Sequence, residues 1–417
     1  MTSEAATSSP RSTSERRLLA LLFLAYLLNF LDRQILAILK IPIKAELGLT
    51  DTQLGLMGGI AFAALYSTLA IPLARLADRR GRVKVIAGSV AVWSAATAVC
   101  GAATGFASLF VARMVVGIGE AGGVAPSHAL IADRVPPGRR ARSLAVFSLG
   151  IPVGSALGLL LGGWIASALN WRWAFGLVGV AGLPLALALR RVGDGPTAPS
   201  PTDGVNSAMR LLAKKPSYWL LALGAASASI PGYGLAFWLP TYFNSVLDLS
   251  LAATGVYSAA ITLVGGIGGI WLGGVLADRW SVGRPAAQAL VPAAAFAAAI
   301  PLYVAAMMVR SLALALPLYM LAYCAAQAWL GPVFGAVQGM VAPDIRATAS
   351  AWLLLLVNLV GIGVGTFIFG FARDRLSLTY GPDALRFALL GGLAFYLVAS
   401  GLMLAAAIRI GRDSNAA

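Results

Sequence analysis

Charged side chains are scarce in this chain: Asp, Glu, Lys and Arg together make up 11% of its 417 residues. Soluble domains carry about 25%, so the polar surface that keeps a folded chain in water is missing. Histidine occurs once, at His128, and cysteine twice, at Cys100 and Cys324, each inside an apolar run. So sparse a set holds no metal-spaced cluster and no Cys–His pairing, and it implies no metal site, no cofactor and no disulfide framework. Both cysteines read as packing residues. The same shortage argues against an enzyme, because no group of side chains remains to act together as nucleophile, base and electrophile.

What fills the chain instead is apolar: 59% of residues are hydrophobic and the mean hydropathy is +0.83. A helix needs about 20 mostly apolar residues to cross a bilayer. Twelve such stretches can be placed, at 17–40, 52–76, 83–104, 106–132, 143–167, 172–190, 217–246, 253–277, 285–309, 311–340, 347–371 and 385–410. None alternates with period two, so all read as helices. The expected protein is all-α: a polar tail at 1–16, a six-helix bundle at 17–190, a linker at 191–216, a second six-helix bundle at 217–410 and a tail at 411–417. The first tail is too weakly apolar to be a signal segment. The linker opens with GDGPTAPSPTDG, a turn-rich run, and ends on Lys214-Lys215-Pro216.

The net charge of +15 and the isoelectric point near 10.4 invite a nucleic-acid reading, but the cations sit in alternate loops. With the N-terminus inside, Arg16, Arg17, Arg79, Arg80, Arg82, Lys84, Arg134, Arg139, Arg140, Arg142, Arg190, Arg191, Lys214, Lys215, Arg279, Arg284, Arg346, Arg409 and Arg412 all face the cytoplasm. The outer loops are poorer, with Lys40, Lys44, Arg172, Arg310, Arg373, Arg375 and Arg386 as the main exceptions. This positive-inside asymmetry predicts cytoplasmic termini and a multi-pass inner-membrane protein whose macromolecular surroundings are lipids, not nucleic acid.

The two halves repeat. ARLADRRGRVK, Ala74 to Lys84, follows the second span and GVLADRWSVGR, Gly274 to Arg284, follows the eighth, while VPPGRRA from Val135 and VAPDIRA from Val341 enter the fifth and eleventh. Two matches at nearly equal offsets indicate parallel six-helix repeats related by an axis along the membrane normal.

At these residues the sequence resembles the major facilitator superfamily, whose signature between the second and third helices has the form G-x-L-x-D-R-x-G-R-[RK]. Leu76, Asp78, Arg79, Gly81 and Arg82 match it; Ala74 stands where Gly is usual, and Val83 precedes the final Lys84. The resemblance implies the twelve-helix fold and a gate motif at Asp78, Arg79, Gly81 and Arg82, with Asp278 and Arg279 in the second copy. In the family the motif's Asp packs against a helix N-terminus, the positive end of its dipole, and a neighbouring Arg, which makes the loop a gate latch. The plainer reading, that these residues are positive-inside anchors, stays open. Arg113-x-x-x-Gly117-x-Gly119-Glu120-Ala121 is similar to the family's fourth-helix motif, and Gly150-Ile151-Pro152-Val153-Gly154 only partly matches the exporter motif of the fifth, so no direction follows from it. Asn29-Phe30-Leu31-Asp32-Arg33-Gln34, the run Leu47 to Gly55 and Gly119-Glu120-Ala121 resemble the Spinster branch. That branch implies a sphingosine-1-phosphate or lysophospholipid solute, often with proton coupling, carried by a bacterial homologue that is expected to act as a monomer.

Ionisable residues inside spans mark functional sites by default, and here they are Asp32, Arg33, Arg113 and Glu120, all in the first half. Helix rise puts Asp32 about 22 Å from the inner end of its span and Arg113 about 10 Å from the outer end of the fourth, nearly the same depth in a core about 30 Å thick. An Asp32–Arg113 ion pair is expected, with Arg33 beside it. Glu120 follows Arg113 by seven residues on the same face. Its neighbours Gly119, Ala121, Gly122 and Gly123 offer no partner, so a proton is its expected neutraliser. Glu120 and Asp32 are therefore the proton-coupling candidates, and Arg113 with Arg33 the anion-binding ones, against the alternative of a static buried pair. His128 reads either as a relay or as a polar gate residue. In the second half Tyr233, inside the Pro/Gly-rich segment Ser229–Gly234, and Gln327 and Asn358 are solute or interhelix hydrogen-bonding candidates. The expected function is proton-coupled alternating access for an amphipathic anionic or zwitterionic, lipid-like solute. A carrier of compact organic anions or drugs, and a membrane receptor, are the alternatives.

Overall fold

The computed structural model describes residues 13–194, 211–282, 284–309, 311–341 and 345–415. Most of the expected N-terminal tail and of the linker lies outside the described residues. Among those described, the chain is helical throughout, with no strand. Ten spans are α1 (Thr13–Leu47), α2 (Asp51–Arg80), α3 (Arg82–Cys100), α4 (Phe106–Arg134), α5 (Arg142–Ala168), α6 (Trp171–Arg190), α7 (Pro216–Ser245), α8 (Leu251–Ser281), α9 (Ala287–Met308) and α10 (Leu312–Gly339). An eleventh apolar stretch, Thr348–Ile410, is 63 residues long, enough for two crossings. The short turn Gly381–Asp383 divides it into α11 (346–380) and α12 (384–415).

The apolar sequence sets where helices run; polar residues at the water-side ends set where they start. Thr50 accepts from the Gln53 backbone N at 3.1 Å while the Gln53 side chain accepts from the Thr50 N at 2.9 Å, closing a reciprocal box at the start of α2. Asn170 caps α6 through the Trp173 N at 3.1 Å, and Ser250 caps α8 through the Ala253 N at 3.2 Å. Each side chain supplies an acceptor that the first helical turn lacks. All three caps lie on the face opposite the chain termini, called here the distal face.

Between helices, small residues replace water as the means of close approach. A side chain at Gly158 of α5 would come within 2.5 Å of the Leu31 carbonyl oxygen of α1, and one at Gly365 of α11 within 2.5 Å of the Ile230 oxygen of α7. The glycines of α8 serve the same end: Gly265 and Gly269 sit against the carbonyls of Met320 and Cys324 in α10. The repeat seen in sequence also has a structural counterpart. Arg140 donates to the Val135 oxygen at 2.9 Å, and Arg346 to the Val341 oxygen at 3.4 Å, the same side chain closing the same carbonyl five residues back in each half.

The bundles differ in regularity. Two π-helical segments, Ile261–Gly265 in α8 and Leu359–Gly365 in α11, lie in the C-terminal bundle, and none is found among the described residues of the other. α7 runs unbroken as an α-helix through Ser229–Gly234 in spite of Pro231. α4, by contrast, breaks at Gly122–Gly123, two residues past Glu120.

Candidate functional site

The four internal charges meet as two crossed pairs. Asp32, 1% exposed, accepts from Arg113 Nη1 at 3.3 Å and from Thr97 Oγ1 of α3 at 2.8 Å. One residue further along α1, Arg33 Nε donates to Glu120 Oε2 at 2.6 Å. Consecutive residues of α1 thus engage residues seven apart on α4, acid to base and base to acid, and the group is neutral as a whole. The expected Asp32–Arg113 pair is present. The expected isolation of Glu120 is not: its partner comes from another helix, which a survey of its chain neighbours cannot reveal.

The pairs differ in setting. Arg113 is 2% exposed, while the Arg33 side chain is 12% exposed and its guanidinium lies 4.5 Å from the ring centre of Tyr66, 4.9 Å from Phe62 and 5.0 Å from Phe30. Aromatic faces attract cations, so the rings hold the part of Arg33 that Glu120 leaves uncovered. The network is not saturated. Arg33 Nη2, Arg113 Nε, Glu120 Oε1 and the Asn29 side-chain oxygen are buried without a protein partner. Such donors and acceptors give a proton or an anionic group something to bind.

Across the molecule, Tyr233 of α7 donates to the Asn358 side-chain oxygen of α11 at 3.1 Å, one residue before the π-helical segment begins. Gln327 packs against Gly269 of α8 and forms no hydrogen bond among the described residues. His128 is exposed beyond the break in α4; its Nδ1 lies 3.0 Å from the Val124 oxygen and its ring meets Phe147 edge-on at 5.1 Å. It is not in contact with Glu120.

At the α2–α3 turn, Arg82 holds Asp78 at 2.9 Å and also Asp133 of α4. The expectation that the motif's own Asp meets a helix N-terminus is corrected: the carboxylate there is Asp194, just past α6, which accepts from the Val83 N at 2.6 Å with Lys84 3.8 Å away. Gly81 has φ +103° and a side chain there would strike the Asp194 carboxylate, so glycine is required twice over. Asp194 sits in a turn-rich run that composition marks only as linker. Arg79, and in the second copy Asp278 and Arg279, are exposed and form no ion pair among the described residues.

The bonds that join the two bundles gather on the distal face among the described residues. Asp374 of α11 accepts from the backbone N of Asp51 at 3.2 Å and of Thr52 at 2.7 Å and from Thr52 Oγ1 at 2.6 Å; Arg373 donates to Asp51 at 3.0 Å, and Thr366 Oγ1 to the Gly55 oxygen at 3.1 Å. Lys40, placed by the charge pattern in an outer loop, is 1% exposed inside α1 and donates to the Ala37 oxygen at 2.7 Å and to the Phe237 oxygen of α7. A lysine flanked by Ala-Ile-Leu and Ile-Pro-Ile is the signal that could have marked it as buried.

Two helical bundles, closed against each other on one face and carrying a charged group between helices in the lipid-spanning core, define a polytopic membrane carrier. Residues 22–366 match the family model described as Major Facilitator Superfamily. The chain belongs to that superfamily and, within it, to the Spinster branch: it is a multi-pass transporter of small molecules, not an enzyme. The chain is 35% identical over 367 residues to an MFS-type efflux pump of Mycolicibacterium smegmatis, covering 87% of this chain and 85% of that one. It is 29% identical over 429 residues to protein spinster homolog 1 of Homo sapiens, covering 91% and 79%. A solved bacterial homologue of the human lysosomal transporter Spinster, in an inward-facing and unoccupied conformation, superposes with a TM-score of 0.85 at 29% identity over 95% of this chain and 98% of that one.

Proposed function

We propose that the protein is a proton-coupled secondary transporter of an amphipathic anionic or zwitterionic solute of the lysophospholipid or sphingoid-phosphate type, working by alternating access in a bacterial inner membrane. The termini face the cytoplasm on the positive-inside pattern, and a monomer surrounded by lipid suffices. The observation that carries the reading is the Arg33–Glu120 pair, closed at 2.6 Å beside the rings of Phe30, Phe62 and Tyr66. Protonating Glu120 removes its negative charge, weakens its hold on Arg33 and frees the guanidinium for a phosphate or carboxylate, which it grips through parallel hydrogen bonds. A bound anion in turn competes with Glu120 for Arg33, so solute and proton act on one equilibrium. Arg113 stands behind, held by Asp32, and supports the same charge balance; Asp32 is the second proton candidate. Tyr233, Asn358 and Gln327 belong to a wall without ionised groups, suited to the apolar part of the solute.

The test uses proteoliposomes loaded with a labelled lysophospholipid and an imposed pH gradient. Glu120→Gln is expected to abolish the response to the gradient and to keep solute exchange at zero gradient. A mutant that still accumulates solute in full response to the gradient would refute the assignment of Glu120. The relative named an efflux pump supports a second reading, a carrier of compact organic anions or drugs; affinity independent of acyl-chain length would favour it.

A further inference from the structure

Lys40 is a buried lysine with no acid in ion-pair contact among the described residues. In the distal seam the other charges satisfy one another: Asp51 takes Lys44 and Arg373, and Asp374 takes the start of α2. Lys40, Lys44 and Arg373 thus meet two acids, Asp51 and Asp374, and Lys40 is the one left without an ion pair. Among the described residues its ammonium has two acceptors, both neutral carbonyls, and the rings of Phe237 and Trp238 at 4.3 and 5.0 Å. Carbonyls and ring faces return part of what an ammonium loses on leaving water, but an unpaired buried charge remains unfavourable beside an apolar side chain of the same length.

The two ends of the seam then pull in opposite directions when the bundles separate. Lys40 gives up Phe237 and Trp238, keeps Ala37 of its own helix and regains water. Asp374 gives up three donors of α2, and Arg373 gives up Asp51. We propose that Asp374 holds the distal gate shut while the cost of burying Lys40 drives it open, so that the closed form is a shallow state and not a trap. A carrier that must expose its site to both faces in turn needs such a balance between two discrete arrangements. The proposal concerns the gate alone and needs no solute, so it stands or falls separately from the reading of Glu120.

The reporter is a cysteine at Thr254 in a full-length chain carrying Cys100→Ala and Cys324→Ala. Thr254 is 0% exposed and lies one turn after Leu251, whose backbone packs against Gly163 of α5. Purified protein in detergent is treated with a small charged methanethiosulfonate, which reaches position 254 only when the seam opens. Lys40→Met is expected to slow labelling about tenfold and to raise the melting temperature. Asp374→Asn is expected to speed labelling by a similar factor, and the double mutant to lie between. Should Lys40→Met fold poorly, Lys40→Gln is expected to slow labelling in the same direction by less. Faster labelling in either Lys40 variant would make Lys40 a latch, and an unchanged rate would make it indifferent; both results overturn the proposal.

Discussion

At mid-depth the N-terminal bundle holds Asp32, Arg33, Arg113 and Glu120, interlocked across α1 and α4. The C-terminal bundle holds rings instead, from its middle towards the distal face: Tyr303 stacks on Tyr396 with centroids 6.4 Å apart, Tyr396 on Phe296 at 5.6 Å, and Tyr319 meets Phe243 at 5.1 Å. It also carries both π-helical segments. Helices descended from one pattern have therefore divided the work. One side stores charge, whose energy depends steeply on protonation and on what lies opposite. The other stores shape, in aromatic contacts and loosened helical turns that can change register without creating an unpaired ion. Coupling and recognition need not then be built into the same helices.

The comparison is broken most severely by unbalancing the charged side. Arg113→Leu leaves Asp32 buried with Thr97 alone, and removing one member of a buried pair costs about 3–5 kcal/mol. A large drop in melting temperature and in folded yield is expected. Asp32→Asn combined with Arg113→Leu should recover most of that loss, because no ion is left stranded. If the single mutant melts like the parent, the charge store is not one, and Asp32 already carries a proton in the resting protein.

The scaffold, unlike the chemistry, should respond equally on both sides. A side chain at Gly158 or at Gly365 would meet the carbonyl oxygen of Leu31 or Ile230 at the same 2.5 Å. Alanine at either position forces helices apart and should cost about 1–3 kcal/mol, as overpacking does. Comparable falls in melting temperature for Gly158→Ala and Gly365→Ala would confine the asymmetry to side-chain chemistry. A much smaller effect at Gly365 would mean that the adjoining π segment absorbs the intrusion, extending the asymmetry to the backbone.

How far these features can be read from sequence follows from the range of the interaction concerned. Twelve spans, two repeats and the Asp32–Arg113 pair rest on apolar length, motif spacing and helix rise, all of which run along the chain. The partner of Glu120 is not legible, because Arg33 lies 87 positions away and turns towards α4 by a rotation of α1 that depth alone does not fix. Charge counting assigns Lys40 to an outer loop, whereas α1 continues to Leu47 and is covered by α7. Asp374 and Thr52 find each other only once two bundles dock. Asp194 was invisible for a different reason: its role depends on a turn that brings the end of α6 beneath the start of α3.

The smallest expected effect sharpens the comparison at the motif shared by both halves. LADR stands in the last turns of α2 and of α8, yet only the first copy is built into a network, with Arg82 between Asp78 and Asp133 and with Asp194 on the Val83 N. A carboxylate there satisfies a donor at the N-terminus of α3 and opposes the positive end of its dipole. Asp194→Ala should therefore cost about 1 kcal/mol, the usual loss of an N-terminal cap, and Asp194→Asn, which keeps an acceptor oxygen, only part of it. Asp278→Ala, at an exposed site, should stay within about 0.5 kcal/mol of the parent. Melting curves of the three variants in one detergent decide the matter. Equal losses at positions 194 and 278 would show that the second copy is engaged in solution and that the repeats are alike in their turns as well as in their helices. The expected inequality would show that the same four letters join an ionic clamp in one bundle and form a solvated helix end in the other, with the difference supplied by Asp133 and Asp194, which lie outside the motif.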